Sequence, residues 1–240
     1  MSLINDFVLF SKIMVKDFLK NPGSKNVYYG LKYFSAWRRH HGPGKNSVDD
    51  RMPWMSFAAI DLLKKIIRPE MQVFEYGSGG STLFWSGHVK SVVSVEHDRL
   101  WFERMQQELA RQHIGNVEYL LREAEDDIDF PTKNFRDPND LISSDEHYTG
   151  KNFRGYVTVI DKYPDMSFDV IVVDGRARPS CIKHALPKLK KDGYLIVDNS
   201  ERKYYLAPFN FDKKDWEVLT FGGPVPYIEH FSDTTILHKK

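Results

Sequence analysis

The chain has one cysteine in 240 residues, Cys181. A lone thiol excludes an internal disulfide framework and a cysteine-based zinc site, and it suits a reducing compartment. Charge of one sign is missing too: 34 Lys and Arg face 33 Asp and Glu, so no basic field recommends nucleic acid and no such partner is expected. No run of about 18 apolar residues occurs, which argues against a spanning helix. The first residues lack the basic start and small-residue cleavage site of a secretory signal, so the expected location is cytoplasmic. Repeats and low-complexity tracts are also absent. What remains, 41% apolar and 28% charged, suffices for one large α/β domain with a sizeable core.

What is present is organised around Met71 to Asp98, which reads as a strand, a glycine-rich turn, a helix and a second strand with an acid at its tip. Before it, residues 1–52 are expected to form a helical extension and linker. Apolar residues from Leu3 to Phe18 recur at helical spacing. Such a helix can dock on its own domain, pair with a second copy in a homodimer, or lie on a membrane surface as a peripheral contact. Asn21 to Ser24 breaks it. The basic stretch Trp37 to Lys45 reads as a solvated linker, with a phosphate-binding loop as the alternative. Pro53 to Ile67 reads as a helix.

Residues 53–240 then alternate. Strands are expected at Val73–Tyr76, Ser91–Val95, Val117–Leu121, Phe168–Asp174 and Tyr194–Asp198, with Asp192-Gly193 as a turn before the last. Trp216–Phe221 and Thr234–His238 read as a closing strand pair. Residues 128–167 interrupt the alternation and are expected to form a lid or substrate-binding insertion, with a short helix near Gly155 to Ile160.

The glycine spacing separates two ligand classes. A dinucleotide fold uses Gly-x-Gly-x-x-Gly around a pyrophosphate. Here the turn is Gly77-Ser78-Gly79-Gly80-Ser81-Thr82, with threonine in the sixth position. Glu75, just ahead of it, would repel a pyrophosphate yet could pair with an amino group. Glu96 follows Glu75 at the spacing a βαβ crossover needs to bring a carboxylate beside the turn.

These residues resemble the class I S-adenosylmethionine-dependent methyltransferases. Glu75 to Gly80 looks like that family's first motif, Glu96 like its ribose-binding acid, and Glu123-Ala124 like the dipeptide flanking adenine. The resemblance implies a doubly wound, mostly parallel, seven-stranded Rossmann-like sheet with one antiparallel strand. It also implies a cofactor cradle of Glu75, Gly77, Ser78, Gly79, Gly80, Ser81, Thr82, Glu96, His97, Glu123, Ala124 and Asp174.

The acceptor belongs at the carboxyl ends of the fourth and fifth long strands. Asp174, Asp198 and Asn199 there are hard oxygen ligands suited to a divalent cation such as Mg2+, and they resemble the metal site of catechol-type O-methyltransferases. That subgroup's lysine is not matched. Arg176 and Arg178 stand nearby instead, which suits an anionic acceptor. Asp174, Arg176 and Asp198 are therefore the candidate catalytic residues, Asp174 acting either as ligand or as the group that orients or deprotonates the acceptor. His97 and His147 are secondary candidate bases. Trp54 and Trp85 either fill core or wall the cofactor pocket. The expected activity is O-methylation of a small or sugar-like molecule. The alternatives are a nucleotide-dependent oxidoreductase and a non-catalytic methyltransferase-like binding protein.

Overall fold

The computed structural model describes residues 3–20 and 24–240. Two helices open it, α1 (Leu3–Lys20) and α2 (Ser24–His40). The second corrects the expected linker from Trp37. Trp37 is buried against Phe10, and its Nε1 donates to Ile228 O at 3.0 Å, so the helix runs on to His40. Glycine and proline break the chain only beyond it. A loop, α3 (Phe57–Ile66) and β1 (Gln72–Tyr76) follow, so Pro53 to Ser56 stay outside the expected helix.

The chain then forms α4 (Gly80–Ser86), β2 (Ser91–Glu96), α5 (Arg99–Arg111), β3 (Val117–Leu121) and a two-residue strand β4 (Glu125–Asp126). After a long connection come β5 (Lys151–Asn152), α6 (Arg154–Thr158), β6 (Phe168–Val173), α7 (Arg178–Ala185), β7 (Leu189–Asp198), β8 (Trp216–Pro224) and β9 (Phe231–Lys239). The main sheet has the order β3-β2-β1-β6-β7-β9-β8, parallel except that β9 runs antiparallel to both its neighbours.

The two-residue period of a strand assigns each side chain to a face. Val73, Val92, Val170 and Ile196 point into a core shared with α1, α2 and α3 through Phe10, Trp37 and Ile60. Phe74, Val93, Ile171 and Val197 point the other way, onto α6 and α7 through Tyr156 and Cys181. Both faces are covered, which is why β6 is almost wholly apolar.

Three expectations change. Asp192-Gly193 is no turn before a strand: it lies within β7, where Asp192 takes a left-handed φ of 60° and the pairing with β6 shifts register. The closing strands are longer than expected, because Gly222 to Pro224 pair along β9. The 128–167 stretch is only partly an insertion over the site: its helix exists as α6, but Phe153, Tyr156, Val157 and Ile160 are fully buried core. Among the described residues no helix is long and apolar enough to cross a membrane.

Candidate functional site

The glycine turn leaves β1 under two tight constraints. Gly77 has φ +93°, and a Cβ there would stand 3.0 Å from Asp174 O, so the left-handed conformation and the neighbouring strand both demand glycine. At Gly80 a Cβ would lie 2.0 Å from Ser47 O and 2.6 Å from Met52 O. The segment after α2 therefore rests directly on the start of α4.

Thr82, standing where a dinucleotide fold has its third glycine, does local work. Its hydroxyl donates to Glu75 Oε2 at 2.6 Å and accepts from Gly79 N at 3.1 Å, and Ser94 Oγ also donates to Glu75 Oε2 at 2.9 Å. Glu75 is thus sealed beneath the turn, and its other oxygen lacks a hydrogen-bond partner among the described residues. Burial pushes its carboxyl up to about 7 against these hydrogen bonds, with nearby Glu96 adding to the rise.

Glu96 at the tip of β2 is also buried, 3% exposed, yet its surroundings act oppositely. Oε1 accepts from His97 N at 2.7 Å and Asp98 N at 2.9 Å; Oε2 accepts from Ser78 N at 3.2 Å and Ser78 Oγ at 2.8 Å. Burial opposes its charge, but His97 and these donors overcome that and hold the carboxyl at about 2. His97 Nδ1 lies 2.7 Å from Oε1 without hydrogen-bond alignment.

At the ends of β6 and β7, Arg178 ties the Asp174 carboxylate to the main chain of Asp198. Its Nη2 donates to Asp174 Oδ1 at 3.0 Å, its Nε to Gly175 O at 3.0 Å, and its Nη1 to Asp198 O. Burial raises Asp174 to about 6 despite Arg178 and Arg176, and burial with the neighbouring Asp174 pushes Asp198 well up. Asp198 accepts from Thr234 Oγ1 at 2.6 Å and Asn199 Nδ2 at 2.9 Å.

The trio Asp174, Asp198 and Asn199, expected as a divalent-cation site, comes together at the strand ends with its polar groups turned to one another and to Arg178. Arg178 pairs with the Asp174 carboxylate and bonds the main-chain carbonyl of Asp198, both Asp198 carboxylate oxygens accept hydrogen bonds, and Asn199 meets Asp198 with its nitrogen. Among the described residues no three His, Cys, Asp or Glu gather as a metal group.

Two cavities adjoin this edge. One, about 570 Å³, is lined by Ser78, Gly79, Gly80, Ser81, Asp174, Asp198 and Asn199, together with Ser47, Trp54, Trp101, Ile228 and His230. The other, about 220 Å³, is lined by Arg176, Arg178, Arg202, Tyr204, Tyr205 and Phe135 among others, with Asp145 as its one acid. The lining passes from the first cavity to the second between Asp174 and Gly175.

The structure therefore gathers part of the expected cradle into the cleft. Glu75, Thr82 and Glu96 stand behind its wall as supports. Glu123 is half-exposed and paired with Arg99, and Ala124 packs against the aromatic core. His147 is exposed beside Asp145 at 2.9 Å and does not reach either cavity. Trp54 lines the cleft while Trp85 is fully buried core. Sequence reasoning missed Ser47, Trp101, Ile228 and His230. Only Trp101 had a readable signal, its place in the first turn of α5, where Nε1 reaches Ser78 O at 3.0 Å.

No protein-family model and no curated protein matches the chain. Solved structures do. The O-methyltransferase TomG from Streptomyces achromogenes, solved with S-adenosylmethionine, is 15% identical at a TM-score of 0.51, over 80% of this chain and 85% of that one. SMU.1697c of Streptococcus mutans, a candidate methyltransferase in complex with S-adenosylhomocysteine, is 14% identical at 0.51, over 76% and 96%. An rRNA methylase from Streptococcus thermophilus is 15% identical at 0.50, over 76% and 94%. The fold is that of the class I methyltransferases, as the resemblance of Glu75 to Gly80 implied.

Proposed function

We propose that the chain is an S-adenosylmethionine-dependent methyltransferase that methylates an oxygen of a small, anionic or sugar-like acceptor without a divalent cation. The observation that carries this reading is the junction at Asp174 and Gly175, where a cleft over the glycine turn adjoins an arginine-lined cavity. The chain's residues suit the cofactor. Gly79 lines the cleft without a side chain, and Glu96 behind Ser78 is a fixed anion able to accept ribose hydroxyls. Of its four donors, Ser78 Oγ is the exchangeable one, since Tyr119 OH stands 2.7 Å away as a second partner.

When bound, the cofactor supplies an electrophilic methyl group for an in-line displacement, leaving the protein to align the acceptor and take its proton. Asp174, raised to about 6 and flanked by Arg178, is the group placed for that proton. Arg176 and Arg202 in the adjoining cavity suit a carboxylate or phosphate on the acceptor, and Tyr204 offers an aromatic wall.

The test is calorimetric titration with S-adenosylmethionine, followed by transfer of labelled methyl to small molecules of a cell extract with and without chelator. Binding, with transfer that survives chelator, is the expected result. A fluorescence response to NADH without S-adenosylmethionine binding makes the chain an oxidoreductase. Tight binding with no labelled product in any extract makes it a binding protein, and loss of transfer in chelator restores the metal.

A further inference from the structure

Helix α1 has two faces of unlike fate. Asp6, Phe10 and Ile13 turn inward, onto α2 and Phe231, and Arg38 Nε closes the inner edge by donating to Asp6 Oδ2 at 2.8 Å. The spacing of that face leaves Ile4, Val8, Ser11, Val15 and Leu19 in a single outward line, flanked by Phe7 and Phe18. Ile4 and Leu19 are 74% and 77% exposed, and Phe7, Val8, Val15 and Phe18 are exposed as well. An outward face of a water-facing helix is normally polar, whereas this one is apolar over almost its full length. Its polar companions are cations: Lys12 and Lys16 are exposed beside Val8 and Val15. Neither acid of the helix shares the stripe, since Asp6 is buried and Asp17 is half-buried on the inner side.

We infer that α1 lies on an anionic lipid surface, with its apolar line in the headgroup boundary and Lys12 and Lys16 against lipid phosphates. A shallow apolar stripe edged by lysines is what an interfacial helix presents. A second copy of the chain fits worse. The stripe runs from Ile4 to Leu19, so its centre falls at Ser11 and Lys12. A twofold pairing of such helices sets Lys12 opposite its own symmetry mate, with no acid of the stripe to offset the charge. Through Phe10 the helix packs on Phe231, the residue after His230, which lines the cleft. A membrane-bound α1 is therefore tied to the wall of the site. The inference stands whether or not the methyl-transfer reading holds.

Flotation of the full chain with vesicles tests it, using phosphatidylcholine alone and phosphatidylcholine mixed with phosphatidylglycerol. The chain is expected to float with the anionic vesicles, less so as salt rises. The pair Val8→Glu and Val15→Glu should lose this binding at least tenfold while circular dichroism and S-adenosylmethionine affinity stay as in the unmodified chain. Should that pair misfold, Lys12→Gln with Lys16→Gln decides, with about a tenfold loss on anionic vesicles only. Absence of the unmodified chain from anionic vesicles at low salt overturns the inference. So does a concentration-dependent dimer that binds no vesicles and that Val8→Glu with Val15→Glu dissolves, which would make the stripe a self-association face.

Discussion

The carboxyl edge of the sheet buries acids at two places and treats them in opposite ways. Glu96, at the tip of β2, is ringed by backbone and hydroxyl donors and is held at about 2. Asp174 and Asp198, at the ends of β6 and β7 beside Arg178, are pushed upward, Asp174 to about 6. Desolvation raises all three; at Glu96, His97 and the ring of donors outweigh it, whereas at Asp174 and Asp198 it prevails. On the proposed function the difference is a division of labour: one place is a fixed anion for the cofactor to bond, and the other a carboxyl that exchanges a proton near neutrality. Environments that push like groups apart in pKa mark where acid and base roles are separated.

The largest effect that would break this comparison belongs to Asp174. Asp174→Asn should lower methyl transfer by roughly 10²–10⁴-fold, the range of a lost general base, while S-adenosylmethionine affinity by calorimetry changes little. In the unmodified chain the rate should rise with pH through about 6 and then level, because the carboxylate is the active form. A flat profile across that range would remove the proton-handling role. Next comes Arg178→Met, which removes the buried cation paired with Asp174 and bonded to the Asp198 main chain. A loss of about 3–5 kcal/mol in urea unfolding at pH 7 is expected.

Glu75 sharpens the comparison, since it sits beside Glu96 yet behaves like the far end. Its carboxyl is raised to about 7 in the folded chain. The folded state then holds a proton that the unfolded state has released, so the contribution is complete below about pH 4.5 and is lost as pH climbs through 7. Glu75→Gln cannot ionise. The difference between its urea stability and that of the unmodified chain should therefore grow from pH 5 to pH 8, by roughly 3 kcal/mol. Smaller again, Glu96→Gln should weaken S-adenosylmethionine binding about tenfold or somewhat more, by removing a charge-assisted partner for the ribose.

These contrasts were only partly legible in the residues. The parallel core was, because strand side chains alternate or run apolar according to how many faces they bury, and α1 was, because its spacing is helical over five turns. The end of α2 was not: the glycine and proline after His41 read as a break, whereas distant Phe10 and Ile228 hold Trp37 in the core. Asp192-Gly193 looked like a turn, but β6 and β9 on either side hold the chain in the sheet across a bulge. At the site, the glycines and the acids at strand tips follow from local spacing. Whether an acid is charged does not, since that depends on which donors the fold brings to it. Ser47, Ile228 and His230 reach the cleft from far along the chain and carry no motif.

The smallest expected effect tests the cleft's outer limit. Glu123 follows β3 as an adenine-flanking acid should, yet its carboxylate is turned to solvent and paired with the exposed guanidinium of Arg99. Surface pairs of this kind contribute little, because water screens them and two long side chains must be ordered. Glu123→Ala should therefore leave the urea midpoint unchanged and alter S-adenosylmethionine affinity by less than about threefold, far below the effect at Glu96. A larger loss would mean that Arg99 releases Glu123 toward the ligand on binding. The fixed anion of the β2 tip would then extend to β3, and the contrast between the two ends of the edge would rest on three strands instead of two.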